Sequence, residues 1–160
     1  MSDKKGHIRL ISTGLVAENR KARFNYAITE TFEAGLSLTG AEVKSLRQGR
    51  ANLTDGYAIP DGNSIMINNI TIGKYESSNP FIPHTEKRPR RLLLNKNEIK
   101  RLIGLYNREK ITIVPLKLYF TNKGLAKLLI GVGEGKNKVD KRETIKEREW
   151  SRQKARLMKK

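Results

Sequence analysis

No cysteine occurs in the 160-residue sequence, which excludes disulfides, zinc ribbons, iron–sulfur clusters and thiol chemistry. Histidine is almost as scarce: His7 and His84 are too few and too far apart to compose a metal site, and no cofactor is expected. No apolar run reaches the roughly 18 to 20 residues of a membrane span. The basic N-terminus leads into no signal-peptide core, so a cytoplasmic location without membrane attachment is expected. Acidic residues are in short supply. Against 33 Lys plus Arg stand 16 Asp plus Glu, a formal charge of +17, and such an excess calls for a polyanion, with nucleic acid first among the candidates.

A chain of this length suits one domain, and apolar residues, though only 37% of the total, are cleanly patterned in its middle. Over 26–38, Tyr26, Ile28, Phe32, Ala34, Leu36 and Leu38 share one phase of a two-residue alternation, which predicts a strand with one buried face. Glu30 falls in the same phase, so a bulge or an exposed strand start is expected there. Thr39 and Glu42 spell a capping box for a helix that carries Val43 and Leu46 and stops at Gly49. Strand-like runs over 53–60 and 64–72 flank Asp61 and Gly62, a hairpin signal. Residues 76–91 hold Pro80, Pro83 and Pro89 with a basic cluster, Lys87, Arg88, Arg90 and Arg91; a loop of that length in a small domain is functional or mobile. Asn95 and Glu98 repeat the capping pattern before Ile99, Leu102, Ile103 and Tyr106, the spacing of an amphipathic helix. Strands over 111–120 and 125–132 follow, and Pro115 places the first at an edge or bulge.

About six short strands with two to three helices make the chain mainly β, and a small OB-like Greek-key antiparallel β-barrel is the preferred architecture. An SH3-like barrel and a plain α+β sheet are the alternatives. The expected organisation is a flexible basic N-terminus over 1–17, an RNA-binding barrel domain over 18–133 and a basic tail over 134–160. Gly131, Gly133 and Gly135 read as the hinge between barrel and tail. From Lys136 onward, 11 Lys plus Arg face 4 Asp plus Glu, so +7 of the +17 lies in the last 25 residues. Such a segment cannot offset its ordering entropy by self-burial and is expected to be disordered when free.

Projected as a helix, Lys141, Arg148, Arg152, Arg156 and Lys159 fall within a sector of roughly 80°, with Trp150 and Leu157 on the other side. That arrangement offers phosphates one basic face once RNA folds the tail. In the barrel, Tyr26, Tyr57 and Tyr75 are candidates for base stacking, each with a core or rim role as its plain alternative. Glu33 lies on the phase opposite the apolar residues, where an acid in a basic site can accept from base amines or a 2′-OH. Catalysis is not expected: the glycine spacing near 131 is no dinucleotide fingerprint, and His84 lacks the positioned partner a general base needs. The charge thus divides between tail and body as two separated basic regions, suited to holding one RNA while probing another. A structural ribosomal or general nucleic-acid-binding protein is the other reading that charge alone permits.

Ordered stretches of the chain narrow this further. They are Asn19 with Arg20, Lys21, Ala22 and Arg23; Glu33 with Ala34, Gly35 and Leu36; and Gly40 through Arg47. Then come Arg91 to Asn95, Asn107 to Glu109, Gly131 to Lys136, Asp140 to Arg142, Ile145 to Trp150, and Lys154 to Arg156. In this order and spacing they resemble the SsrA-binding protein family, also called small protein B, the partner of transfer-messenger RNA in ribosome rescue. The resemblance implies an OB-like barrel that binds the tRNA-like domain of transfer-messenger RNA, delivers it to stalled ribosomes and stands in for the missing anticodon arm. By position it makes Asn19, Tyr26, Glu33, Tyr57, Leu93 and Lys127 RNA-contacting residues. Arg20, Lys21 and Arg23, with Arg90 and Arg91 of the basic cluster, complete the expected surface. It further implies a tail that becomes helical in the empty mRNA channel, with Asp140, Lys141 and Arg142 at the decoding centre. Lys136, Lys138, Arg148, Trp150, Arg152, Arg156, Leu157 and Met158 would line its course. Elongation factor Tu, met through the aminoacylated RNA, and a monomeric state belong to the same expectation. Two positions depart from the family pattern: Phe24 stands where relatives often carry His, and Val139 where they often have His or another polar or aromatic residue.

Overall fold

A computed structural model describes residues 10–75, 80–81, 83–108, 111–136 and 138–158. In chain order the elements are β1 (Gly14–Glu18), α1 (Arg20–Asn25), β2 (Tyr26–Leu36), α2 (Gly40–Arg47), β3 (Ala51–Asn52), β4 (Tyr57–Asp61) and β5 (Ser64–Asn68). β6 (Thr71–Ile72), β7 (Arg90–Leu93), α3 (Lys96–Tyr106), β8 (Ile111–Phe120), β9 (Ala126–Gly135) and α4 (Lys138–Met158) follow. Seven strands form one antiparallel sheet in the order β1-β8-β4-β5-β7-β2-β9, and β8 also pairs with β9. The sheet therefore rolls back on itself, its thinnest link being the single pair Ala58–Ile113 between β4 and β8. That pairing fits the OB-like class and not an open α+β sheet.

Local chemistry accounts for most of the elements. Both capping boxes form: the Glu42 amide donates to Thr39 Oγ1 at 3.2 Å, and the Glu98 amide to Asn95 Oδ1 at 2.8 Å. Gly49 ends α2 with φ +75, and Gly62, at φ +58, makes the β4–β5 turn between Asp61 and Ser64. Inside the roll, Leu46, Ile65, Ile67, Leu92, Leu102, Ile113, Leu118, Leu128 and Ile130 are buried in one core. Among the described residues no helix is long and apolar enough to cross a membrane.

Two bulges decide what the outside of the sheet carries. The ladder between β2 and β9 shifts at Ile28/Glu30, and that between β8 and β9 shifts at Pro115/Lys117. Directly paired residues share a face, so a bulge exchanges the faces on either side of it. Tyr26 pairs with Gly135 and Glu33 with Leu129, both on one phase of β9. The bulge therefore brings Tyr26 and Ile28 onto the same outer face as Glu33, although the sequence alternation sets them on opposite faces. There Ile28, Tyr26 and Leu129 pack with Val114, Leu116 and Ala22 of α1 as a second small cluster.

Several expectations need correction. Residues 14–17 are not a flexible lead-in but most of β1, because Gly14, Leu15 and Ala17 pair with Phe120, Tyr119 and Leu118 of β8, with a bulge at Val16. Residues 1–9 lie outside the described residues. Helix α1 is absent from the sequence reading, and nine strands are present among the described residues in place of about six. Gly131 and Gly133 are no hinge: both lie within β9, where a Cβ on Gly133 would sit 2.2 Å from Ala27 O and one on Gly131 2.9 Å from Leu116 Cδ1. β9 runs to Gly135, so the tail begins after it and not at 134. Residues 138–158 of the tail form the helix α4. Its Lys, Arg, Glu and Gln residues are good helix formers and its mixed charges suit one-turn pairing, which outweighs the lack of a buried stripe.

Candidate nucleic-acid interface

The open half of the outer face is built by four strands. Gly35 on β2 pairs with Leu93 on β7 and with Lys127 on β9, and Lys127 pairs with Tyr119 on β8. Glu33 lies two residues along β2 on the same face, and the Tyr119 hydroxyl donates to its carboxylate. Burial, then the hydrogen bond and the charge of Glu33, push the Tyr119 phenol up to about 12. Gly35 has no side chain to occupy the row; a Cβ there would stand 3.1 Å from Leu93 Cβ. Leu93 can therefore lie across it, 53% exposed, with Leu125 also exposed at the edge of the row. The face thus joins an apolar platform, an oriented carboxylate and an ammonium. A ribose or base edge can rest on the first, donate to the second and leave its phosphate to the third.

Asn19, Tyr26 and Tyr57 line a cavity with Thr54, Asp55 and Gly56. Asn19 is buried, and its Nδ2 donates to Pro115 O at 3.0 Å and Leu53 O at 3.3 Å, so much of its work is to tie the β8 bulge to the turn before β4. Tyr57 is 40% exposed at the rim, whereas Tyr26 is half-buried on the α1 cluster. Tyr75 is half-buried, with the Lys44 ammonium 5.5 Å from its ring centre.

The basic cluster separates into inside and outside. Arg90 is fully buried: Nε donates to Glu42 Oε2 at 2.6 Å, Nη1 to Arg88 O and Ile70 O, and Nη2 to Glu86 O at 3.0 Å. Arg88 closes the other side of the Glu42 carboxylate. Burial pushes the Glu42 carboxyl up, but hydrogen bonds from Arg88, the Thr39 amide and Arg90, with the Arg90 charge, outweigh it and hold the carboxyl below its usual range. Arg90 is thus a core tie and not an RNA contact. Strand alternation on β7 buries Arg90 and Leu92 and turns Arg91 and Leu93 outward. His84 Nε2 lies 3.0 Å from Ile72 O, a loop tie and no catalytic pairing.

The tail helix rests on α1. Phe24 is half-buried, with the Lys141 ammonium 5.7 Å and the Arg148 guanidinium 5.8 Å from its ring centre. Lys136 Nζ donates to Arg23 O at 3.2 Å and to Thr144 Oγ1 at 2.8 Å. Arg148 and Arg152 then line a cleft with Arg20 and Arg23 of α1 and Lys117 of β8, while Lys21 is exposed. Of the expected basic face, Lys141, Arg148 and Arg152 lie against the body, so the two basic regions are not separated there. Arg142, Arg156, Trp150, Leu157 and Met158 are exposed, with Lys154 Nζ 5.3 Å from the Trp150 ring centre. The side chains of Lys138, Val139 and Asp140, and Lys159 entirely, lie outside the described residues.

A family model described as SmpB protein matches residues 16–160. The chain belongs to the SmpB family. It is 54% identical over 144 residues to an SsrA-binding protein of Methylorubrum populi, covering 90% of this chain and 91% of that one. It is 53% identical over 156 residues to an SsrA-binding protein of Sinorhizobium fredii, covering 98% and 97% respectively. A solved chain described under "tmRNA-SmpB: a journey to the center of the bacterial ribosome" is similar at a TM-score of 0.65 and 39% identity, covering 84% of this chain and 94% of that chain.

In this SmpB-family protein the structure brings Glu33, Leu93 and Lys127 together and sets Asn19, Tyr26 and Tyr57 around one cavity. Sequence reasoning missed Tyr119 and Lys117. Both sit on the phase of β8 opposite Leu118 and Phe120, so their alternation marks them as outward-facing.

Proposed function

We propose that this protein is a non-enzymatic RNA-binding adaptor of ribosome rescue. Its barrel binds the tRNA-like domain of transfer-messenger RNA, carries it to stalled ribosomes and takes the place of an anticodon arm. The observation that carries the reading is the row Leu93, Gly35, Lys127 and Tyr119, with Glu33 held by Tyr119, on the open face of a chain whose relatives are SsrA-binding proteins. Asn19, Tyr26, Tyr57, Arg20, Lys21, Arg23 and Arg91 extend that surface. The tail leaves α1 to enter the mRNA channel, where the segment from Asp140 to Arg142 meets the decoding centre. The exposed Trp150, Leu157 and Met158 support a tail with a further surface to cover. Elongation factor Tu joins through the aminoacylated RNA, and the protein acts as a monomer in the cytoplasm.

Competition tests the reading. Binding of the tRNA-like domain is expected to survive an excess of bulk tRNA in the native protein and to weaken in Lys127→Ala. Equal displacement by bulk tRNA would leave a general nucleic-acid-binding protein.

A further inference from the structure

The cleft between body and tail has a lining unlike a resting surface. Arg20 and Arg23 come from α1, Lys117 from β8, and Arg148 and Arg152 from α4, around a cavity of about 330 Å³. One carboxylate, Glu18, joins them; it lies opposite Lys117 in the β1–β8 ladder and 4.0 Å from Arg20 Nε. Arg23, Lys117 and Arg152 have no carboxylate within ion-pair distance among the described residues. Five exposed cations face one anion across this cleft, so Glu18 offsets only part of their mutual repulsion. The Phe24 ring, over which Lys141 and Arg148 lie, and the Lys136 ammonium, which donates to Arg23 O and Thr144 Oγ1, seat the helix here.

We infer that this cleft is a phosphate-binding site for a stretch of RNA backbone, and that the bound phosphates hold the tail helix against the body. Four of the five cations are guanidiniums, whose planar forks match phosphate oxygens two at a time. Because three cations belong to the body and two to the tail, a ligand that neutralises both sets binds only the seated arrangement. Linkage then requires the same phosphates to shift the tail from free to seated. Phosphate chemistry is favoured over an acidic peptide because the charges are dense and close to an aromatic face. The site shares Arg20 and Arg23 with the RNA surface proposed above and rests on that reading, but it requires neither ribosome nor transfer-messenger RNA.

The absence of native cysteine makes the test direct. Asn122→Cys in the β8–β9 turn and Gln153→Cys on α4 place spin labels at exposed positions of the full-length chain. Distance distributions are recorded with oligouridylate, with inorganic polyphosphate and with polyglutamate at matched ionic strength. Both phosphate polymers are expected to collapse a broad distribution to one population, and polyglutamate is not. Lys117→Gln, which leaves the tail sequence intact, and Arg148→Gln with Arg152→Gln are each expected to raise the oligouridylate concentration needed by about tenfold. The double variant should also lower the log–log salt slope by about 1.4, from two lost contacts at about 0.7 each. No response to oligouridylate overturns the site. So does a response that Lys117→Gln leaves unchanged, an equal response to polyglutamate, or a response to RNA without one to polyphosphate.

Discussion

Glu42 and Arg90 meet inside the protein at 2.6 Å, from helix α2 to strand β7, with both side chains almost wholly removed from solvent. The pair fixes which face of β7 points inward. With Arg90 anchored on Glu42, Arg91 and Leu93 face out beside Gly35. A residue remote from RNA thus sets the position of one that the proposed function uses.

Glu42→Ala leaves Arg90 buried without its carboxylate, and removing one partner of a buried pair costs about 3–5 kcal/mol. Urea unfolding should show a loss of that order. Exposed Arg91→Ala should change stability by less than about 0.5 kcal/mol. Similar losses in the two would contradict the inside–outside assignment on β7.

The pH dependence follows from the lowered Glu42 carboxyl. A carboxyl whose pKa is lower folded than unfolded contributes stability above its unfolded value, about 4.3, and that contribution is lost as pH falls through the folded value. The difference in Tm between native protein and Glu42→Gln should therefore be largest near neutrality and shrink in acid. A difference that grows on acidification would reverse the assignment.

Tyr119 carries the opposite sign. Its phenol is pushed up to about 12, so the link to Glu33 is fully present below the ordinary tyrosine value and is lost as pH rises through the folded one. Ultraviolet titration should show one tyrosine ionising late, and Tyr119→Phe should remove it. The same variant should cost no more than about 1.5 kcal/mol, a typical single hydrogen bond, while weakening binding of the tRNA-like domain. Unchanged RNA binding would release Tyr119 from its role in orienting Glu33.

Glycines in β9 give a steric test. A Cβ at Gly133 meets the Ala27 backbone, whereas one at Gly135 meets nothing within 4 Å. Gly133→Ala should destabilise by about 3 kcal/mol or more, and Gly135→Ala by less than about 1 kcal/mol. Equal tolerance at both sites would restore the hinge reading.

Much of this architecture was legible because its signals are local. Thr39 with Glu42, Asn95 with Glu98, Asp61-Gly62 and the alternation through Phe32, Ala34 and Leu36 each act within a few residues. What escaped depends on distant partners. Helix α1 is six residues long and Asn19 gives it no side-chain cap; Ala22 holds it by packing on Val114 and Leu116. Arg90 and Arg91 look alike in a basic, proline-rich stretch until Glu42 selects one of them. Tyr26 shares a face with Glu33 only because the ladder is bulged at Ile28/Glu30, and the position of that bulge was foreshadowed by Glu30. In the candidate site, Glu33, Leu93 and Lys127 were expected together by resemblance, but Tyr119 and the seat of the tail on Phe24 required the strands to be paired.

The proposed function requires one chain to hold transfer-messenger RNA with its barrel and to test for an empty mRNA channel with its tail. Its most direct measurement compares the full chain with a chain ending at Asn137, in transfer-messenger RNA binding and in peptide tagging on stalled ribosomes. Binding retained with tagging abolished is the predicted result. Equal loss of both, or tagging that survives without the tail, would contradict the account.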